Sequence, residues 1–204
     1  MSRYIYVVFS STPYFIGKAI RRITGQVYNH ASIALDPELT QMYSFARRHY
    51  RTPLYGGFVK ESLSRFRLGD QISHIRISKI PVTQEQYDAL ADRLAAMEAQ
   101  SCDYLYNHIS ALGALLHKPI YAKNAYTCVE FCVEILSALD LKIQPGRYYS
   151  VDELDTLLSP YRIYTGQAPE AREADPVFFA KRPVPFPLWV TARDICKLLP
   201  RLGK

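Results

Sequence analysis

Apolar positions alternate with polar ones in several short runs, each of which predicts a β-strand. Residues 30–35 alternate between small, apolar and polar side chains, and the turn that follows makes residues 41–46 their hairpin partner. Three more runs, rich in β-branched and aromatic residues, predict the other strands: residues 4–9, 73–79 and 161–164. We therefore expect an antiparallel sheet.

Helical spacing appears between these runs, and three of the helices begin with a hydroxyl cap followed by Glu or Gln three residues later. The pairs are Thr83 with Gln86, Thr127 with Glu130 and Ser150 with Glu153. They predict helices over residues 83–99, from residue 127 to about residue 139, and over a short stretch after residue 150.

Three weaker helical segments are also predicted, the last of them over residues 188–199. Thr12 is placed as an N-cap before Pro13, which predicts a helix that ends near Gly25. Residues 104–116 predict another helix. Residues 47–69 show no regular period, and with Pro53 and the adjacent glycines 56 and 57 they predict a surface loop that could line a cleft.

These elements divide the chain into one α+β domain over residues 1–165, a linker over residues 166–176 and a basic, aromatic extension over residues 177–204. The extension has two interpretations. It packs back onto the domain, or it makes a peripheral membrane or partner contact through exposed aromatic side chains. Those side chains are Phe178, Phe179, Phe186 and Trp189.

Composition narrows the function classes. The 204 residues are 49% apolar, enough to bury a real core, and carry a net charge of +6. The basic residues are scattered, which disfavours nucleic acid as a partner. No run reaches the ~18 uncharged apolar residues of a membrane span. The N-terminal segment lacks a signal-peptide cleavage pattern, so we expect a cytoplasmic protein.

The cysteines indicate reduced thiols: four are present and none forms a C-x-x-C pair, so neither a disulfide scaffold nor structural zinc is expected. We expect neither a metal nor another cofactor. Cys128 stands out because the Thr127 cap puts it at the first position of a helix. A helix N-terminus favours a thiolate, the nucleophilic form of cysteine. The alternative is a buried cysteine that only packs.

A cysteine nucleophile needs a base, and five histidines are available. His30 lies at the start of an alternating strand, on its less apolar face. Its alternative role is that of a structural histidine at a strand end. Cys132, one turn after Cys128, falls in the buried stripe of the helix and is interpreted as packing rather than as a metal ligand.

Four short motifs carry a family resemblance: His30-Ala-Ser-Ile-Ala-Leu, Tyr43-Ser-Phe-Ala-Arg, Gly56-Gly-Phe-Val-Lys-Glu and Tyr126-Thr-Cys-Val-Glu-Phe. Their order, histidine before cysteine, resembles the circularly permuted NlpC-like, papain-fold cysteine hydrolases, YiiX-like proteins among them. Lecithin retinol acyltransferase-like proteins are a looser match. The chain departs from the usual nucleophile motif of the permuted family, which has serine where Val129 stands.

The resemblance implies a papain-like (permuted NlpC-type) antiparallel sheet packed against helices. It implies Cys128 as nucleophile and His30 as general base, with Ser44 or Glu61 orienting the imidazole. The backbone N–H of Cys128 would contribute to an oxyanion hole. Tyr126 and Tyr43 are the candidate substrate-binding residues.

The activity implied by the resemblance is hydrolysis of an amide, peptide-like or ester bond in a small-molecule or peptide-like substrate, through a thioester. One alternative is an acyltransferase or lipid-ester hydrolase at a membrane surface. Another is a catalytically silent module that uses a tyrosine-rich cleft to bind a ligand.

Overall fold

A six-stranded antiparallel sheet lies at the centre of the mixed α+β fold in the computed structural model. The structure describes residues 3–52, 54–113, 120–139, 141–183 and 185–203. In chain order the strands are β1 (Arg3–Ser10), β2 (His30–Ala34), β3 (Met42–Arg47), β4 (Gly56–Glu61), β5 (Arg67–Leu68), β6 (Gln71–Ile72), β7 (His74–Val82), β8 (Leu105–Tyr106), β9 (Ala125–Tyr126) and β10 (Arg162–Gln167). The order across the large sheet is β10-β7-β1-β2-β3-β4.

The helices surround this sheet. They are α1 (Phe15–Thr24), α2 (Gln84–Ala99), α3 (His108–Gly113), α4 (Cys128–Leu136), α5 (Val151–Leu157), α6 (Pro176–Phe179) and α7 (Pro185–Leu198). Among the described residues, no helix combines the length and apolar character that a membrane crossing requires.

The alternation in the strands sends side chains into two separate apolar clusters. In β1, Val7 and Phe9 join the cluster that contains α4 and the inner side of α2, whereas Val8 joins the cluster on the opposite face. The sheet is thus covered on both sides, and α4 packs mainly against β2 and β3. This packing brings the beginning of α4 close to the beginning of β2.

The hairpin prediction and the caps predicted at Thr83, Thr127 and Ser150 are confirmed. β2 pairs antiparallel with β3, with Ile33 opposite Tyr43. α2 and α4 each begin at a complete capping box, and Ser150 caps α5. Gly25 ends α1 with φ 70°, a left-handed conformation that glycine adopts without strain.

Three local predictions are wrong in part. The N-cap of α1 is Tyr14, not Thr12, because the Thr12 hydroxyl accepts a hydrogen bond from the Asn29 amide instead. The segment 47–69 is not a plain loop, since it contains β4 and a 3₁₀ turn, Leu63–Phe66. The segment predicted as a helix over residues 104–116 begins with β8 and continues as α3, and residues 114–116 lie outside the described residues.

The C-terminal extension packs against the rest of the chain. Phe178 is buried beside the Tyr14 ring, and its carbonyl accepts a hydrogen bond from the Tyr50 N–H at 2.9 Å. Leu198 of α7 is buried in a third apolar cluster with Leu105. Within the predicted linker, Ala168 is buried in the second sheet cluster. Trp189, by contrast, remains 61% exposed.

Candidate functional site

The capping box of α4 sets the position of Cys128. The Glu130 N–H donates to the Thr127 hydroxyl at 3.2 Å, and the Thr127 N–H donates to the Glu130 carboxylate at 2.7 Å. These two bonds fix Cys128 as the first helical residue. Its side chain is only 5% exposed, and it lines a cavity. The first N–H groups of a helix have no intrahelical partner. The backbone donors at the start of α4 therefore lie near this sulfur.

His30 begins β2 and is held from one side by a buried carboxylate. Its Nε2 atom lies 3.0 Å from both Oε1 and Oε2 of Glu61, which is the last residue of β4. The Ser32 hydroxyl donates to Glu61 Oε2 at 2.5 Å and so fixes the carboxylate from a second direction. The Cys128 side chain also interacts with the imidazole and favours its charged form. Cys128, His30 and Glu61 therefore form one connected group.

The electrostatics of this group favour an imidazolium. Burial lowers the pKa of His30, but the Glu61 charge and the contacts with Cys128 and Glu61 outweigh it and raise that pKa to about 10. Burial raises the pKa of Glu61, yet the neighbouring His30, the Arg65 charge and the Ser32 hydroxyl bring its pKa below the ordinary value. At neutral pH the two groups form a buried ion pair.

Tyr106, at the end of β8, is a further polar group beside the sulfur. Its side chain contacts Cys128, and burial together with the nearby Cys128 and Glu130 raises its pKa well above the ordinary value. The phenol therefore keeps its proton and can donate a hydrogen bond. The His108 ring packs against the Tyr106 ring in a tilted arrangement, with centroids 4.8 Å apart.

The cavity beside these residues has a volume of about 720 Å³. This is within the range of about 300–1,000 Å³ that is usual for small-molecule sites. Its polar lining includes Cys128, His30, Glu61, Tyr106 and Arg47. The apolar part of the lining, its apolar wall, includes Ile16, Ile20, Ile23, Leu54 and Leu112.

Some of the predicted site residues have other positions. Ser44 does not orient the imidazole, because its hydroxyl donates to the Ala31 carbonyl at 2.7 Å, so that alternative is wrong, and Glu61 is the candidate that bonds to His30. Tyr43 stacks on Phe58, and its hydroxyl donates to Glu98. Tyr126 is not among the residues that line the cavity either.

Tyr126 packs its ring edge against Phe45, with centroids 5.1 Å apart. Neither Tyr43 nor Tyr126 is therefore placed to hold a substrate in this cavity. Both are held there because the first apolar cluster, between α4 and the sheet, takes up their rings.

No protein-family model, curated protein or solved structure matches this chain. The chemistry of the site is thus interpreted from its own geometry. Among the described residues, no three His, Cys, Asp or Glu side chains are grouped so that they could hold a metal ion.

Two site residues were missed by sequence reasoning. Ser32 shares the face of β2 with His30, two residues along, so the alternation of the strand already carried a signal for it. Tyr106 carried no such signal, because its segment was interpreted as a helix and only the tertiary fold brings β8 to the sulfur.

Proposed function

We propose that the protein is a cysteine-dependent hydrolase of the papain-like, permuted NlpC-type class that cleaves an amide, peptide-like or ester bond. The observation that carries this proposal is the arrangement around His30. Its imidazole is held by a buried carboxylate and interacts with a cysteine at the start of a helix, and all three residues line one cavity. Nucleophile, base and orienting group thus occur in the required order.

The proposed reaction starts from a Cys128 thiolate beside the His30 imidazolium, whose positive charge Glu61 stabilises. The thiolate attacks the substrate carbonyl carbon, and the carbonyl oxygen becomes an oxyanion. The Cys128 backbone N–H and the Tyr106 hydroxyl would donate to that oxyanion. His30 then gives its proton to the departing amine or alcohol, which leaves a thioester on Cys128.

Hydrolysis of the thioester completes the cycle. Water enters from the cavity, gives a proton to His30 and attacks the thioester carbonyl carbon, and the sulfur leaves as thiolate. The product is a carboxylic acid. Glu61 stays ionised throughout; its part is to hold the ring and to stabilise the imidazolium, as the carboxylate of a serine protease triad does.

Trapping of the acyl-enzyme tests this proposal. With an activated ester such as p-nitrophenyl acetate, we expect a burst of nitrophenol and one acetyl group on Cys128, detected by intact mass and peptide mapping. His30→Ala should slow the burst, and Cys132→Ala is the matched control one helical turn away. A protein that is acetylated slowly and equally at all its cysteines would contradict the proposal and favour the ligand-binding module.

The apolar wall of the cavity favours a second candidate, the acyltransferase or lipid-ester hydrolase. Ile20 and Leu112 keep large exposed areas while lining the same cavity as Cys128. A chain-length series of p-nitrophenyl esters tests it: kcat/KM should rise from butyrate to laurate, and Ile20→Glu should remove the rise. Equal values for all chain lengths would exclude a preference for long acyl groups.

A further inference from the structure

We propose that Arg47 forms a subsite that binds an anionic group of the substrate, a carboxylate or a phosphate, next to the bond that Cys128 attacks. This inference rests on the proposed function, because it assigns the substrate class of the same cavity. It adds a group that neither the capping motif nor the histidine strand indicates.

Arg47 is the last residue of β3 and lies half-buried in the wall of the cavity. Its guanidinium carbon is 4.3 Å from the centre of the Tyr14 ring, which holds the planar group in place. Within the described part of the chain its guanidinium makes one hydrogen bond, from Nη1 to the Tyr50 carbonyl at 3.3 Å. A guanidinium has five N–H donors, so most of its donors have no partner among the described residues and could bind a ligand.

Other arginines of the molecule are paired with carboxylates. Arg65, which lines the same cavity, donates to Asp175 at 2.7 Å. Arg76 and Arg162 share the buried carboxylate of Asp155. Within the described part of the chain, Arg47 has no carboxylate within ion-pair distance. A desolvated cation without an anion is unfavourable, and a bound anion would remove that cost.

The anions already in the cavity are engaged elsewhere. The Glu61 carboxylate is taken up by His30 and Ser32. The Glu130 carboxylate caps α4 and accepts a hydrogen bond from the Ser110 hydroxyl. Neither is free to swing to Arg47 without breaking the site, so the counter-ion has to come from outside the described residues.

The interaction of Arg47 with Tyr106 indicates where Arg47 lies relative to the reacting sulfur of Cys128. The Arg47 charge acts on the Tyr106 phenol and lowers its pKa, while the same phenol contacts Cys128. Arg47 is thus within electrostatic range of the group beside the sulfur. Its planar fork suits the paired oxygens of a carboxylate or a phosphate, which explains why arginine rather than a compact ammonium would serve here.

Alkylation with iodoacetate and iodoacetamide provides a matched pair of probes, since both transfer a two-carbon group and release iodide but only iodoacetate is charged. We expect Arg47→Gln to lower the iodoacetate-to-iodoacetamide rate ratio at Cys128 by about 10- to 100-fold, the range of a hydrogen-bonded charge pair. Arg47→Lys should give an intermediate ratio. Arg51→Gln, at an exposed position four residues further on, should leave it unchanged.

A binding measurement makes the inference independent of the thiol chemistry. Titration of the wild-type protein with inorganic phosphate and with glutarate, followed by calorimetry, should give binding that Arg47→Gln abolishes; the tighter ligand distinguishes phosphate from carboxylate. Unchanged binding and an unchanged alkylation ratio in Arg47→Gln would overturn the subsite while leaving the hydrolase proposal intact. Arg47-dependent binding without selective Cys128 alkylation would support the subsite and contradict the hydrolase.

Discussion

The beginnings of α2 and α4 carry the same capping box, yet only one of them forms part of a candidate site. At α2 the first helical residue is Gln84, which is exposed and bonds to Arg3 and Asp88. At α4 the first residue is Cys128, which is buried and interacts with His30 and the Tyr106 phenol. The local motif fixes where a helix starts, and the tertiary surroundings decide what that start can do.

The surroundings also change the electrostatics. Water screens the N-terminal charge of α2, whereas the N-terminus of α4 points into a partly closed cavity where charges act more strongly. Burial there raises the pKa of Glu130, the acidic half of the α4 box. The four predictions that follow separate the two helix starts.

The largest expected difference comes from the first helical residue itself. Cys128→Ser should lower kcat/KM by about 10⁴-fold or more, because the thiolate is lost while the volume is nearly kept. Gln84→Ala, the corresponding change at α2, should leave kcat/KM within about twofold. Steady-state kinetics with an activated ester measures both, and a Cys128→Ser variant with a tenth of wild-type activity would contradict the assignment.

The second prediction concerns the buried Glu61 carboxylate, which belongs to the surroundings of the start of α4. Glu61→Gln should lower kcat/KM by about 10²- to 10⁴-fold, as removal of a triad carboxylate does. It should also move the alkaline limb of the pH–rate profile down by at least about one pH unit, since the carboxylate that raises the pKa of His30 is gone and burial, which lowers it, remains.

Ser44→Ala is the matched control, because Ser44 is buried in the same sheet but bonds to a backbone carbonyl. Ser44→Ala should change the free energy of unfolding but leave the alkaline limb of the pH–rate profile in place. An equal shift of the limb in both variants would contradict the role of Glu61.

The third prediction is a pH dependence of stability. The raised pKa of His30 stabilises the fold fully below about 6.5 and loses this effect as pH rises toward about 10. The lowered pKa of Glu61 stabilises it above about 4.5 and loses this effect on acidification. Urea titrations should show wild type exceeding Glu61→Gln by about 2 kcal/mol between pH 4.5 and 6.5, with the difference shrinking by pH 10. A difference that grows with pH would contradict the ion pair.

The smallest effect tests the two caps directly. Thr83→Ala and Thr127→Ala should each lower the free energy of unfolding by about 1 kcal/mol, since each removes one hydroxyl cap. Only Thr127→Ala should also slow alkylation of Cys128, by about three- to tenfold, because it loosens the first turn that holds the sulfur. Equal alkylation rates in the two variants would show that the cap positions the helix but not the thiol.

The sequence predicted the elements whose signals are local. The capping boxes of α2 and α4 and the Gly25 terminus depend on neighbouring residues, and they were confirmed. β4 was missed because Gly56 and Gly57 are typical of turns. Here they serve close packing: a Cβ on Gly56 would lie 2.8 Å from Tyr106 Cβ, and one on Gly57 would lie 2.3 Å from the Tyr104 carbonyl oxygen. Both close approaches involve residues about fifty positions further along the chain.

The same distinction between local signals and tertiary contacts applies to the candidate site. Cys128 and His30 were identifiable from a cap and an alternating strand, and the structure brings them together with Glu61. The choice between Ser44 and Glu61 required the register of three strands, in which Ser44 turns to the Ala31 carbonyl. Arg47 carried no signal, because an arginine at a strand end is usually solvated and only the packing of Tyr14 and Tyr50 places it in the cavity wall.

Competitive labelling of the four cysteines tests the central assignment most directly. Cys102 and Cys196 are exposed, whereas Cys128 is 5% exposed and Cys132 is fully buried. With a substoichiometric thiol-reactive acyl probe at pH 7, read out by peptide mapping, our account predicts that Cys128 is acylated first and that His30→Ala removes this preference. Labelling that follows exposure, with Cys102 and Cys196 modified and Cys128 untouched, would contradict it.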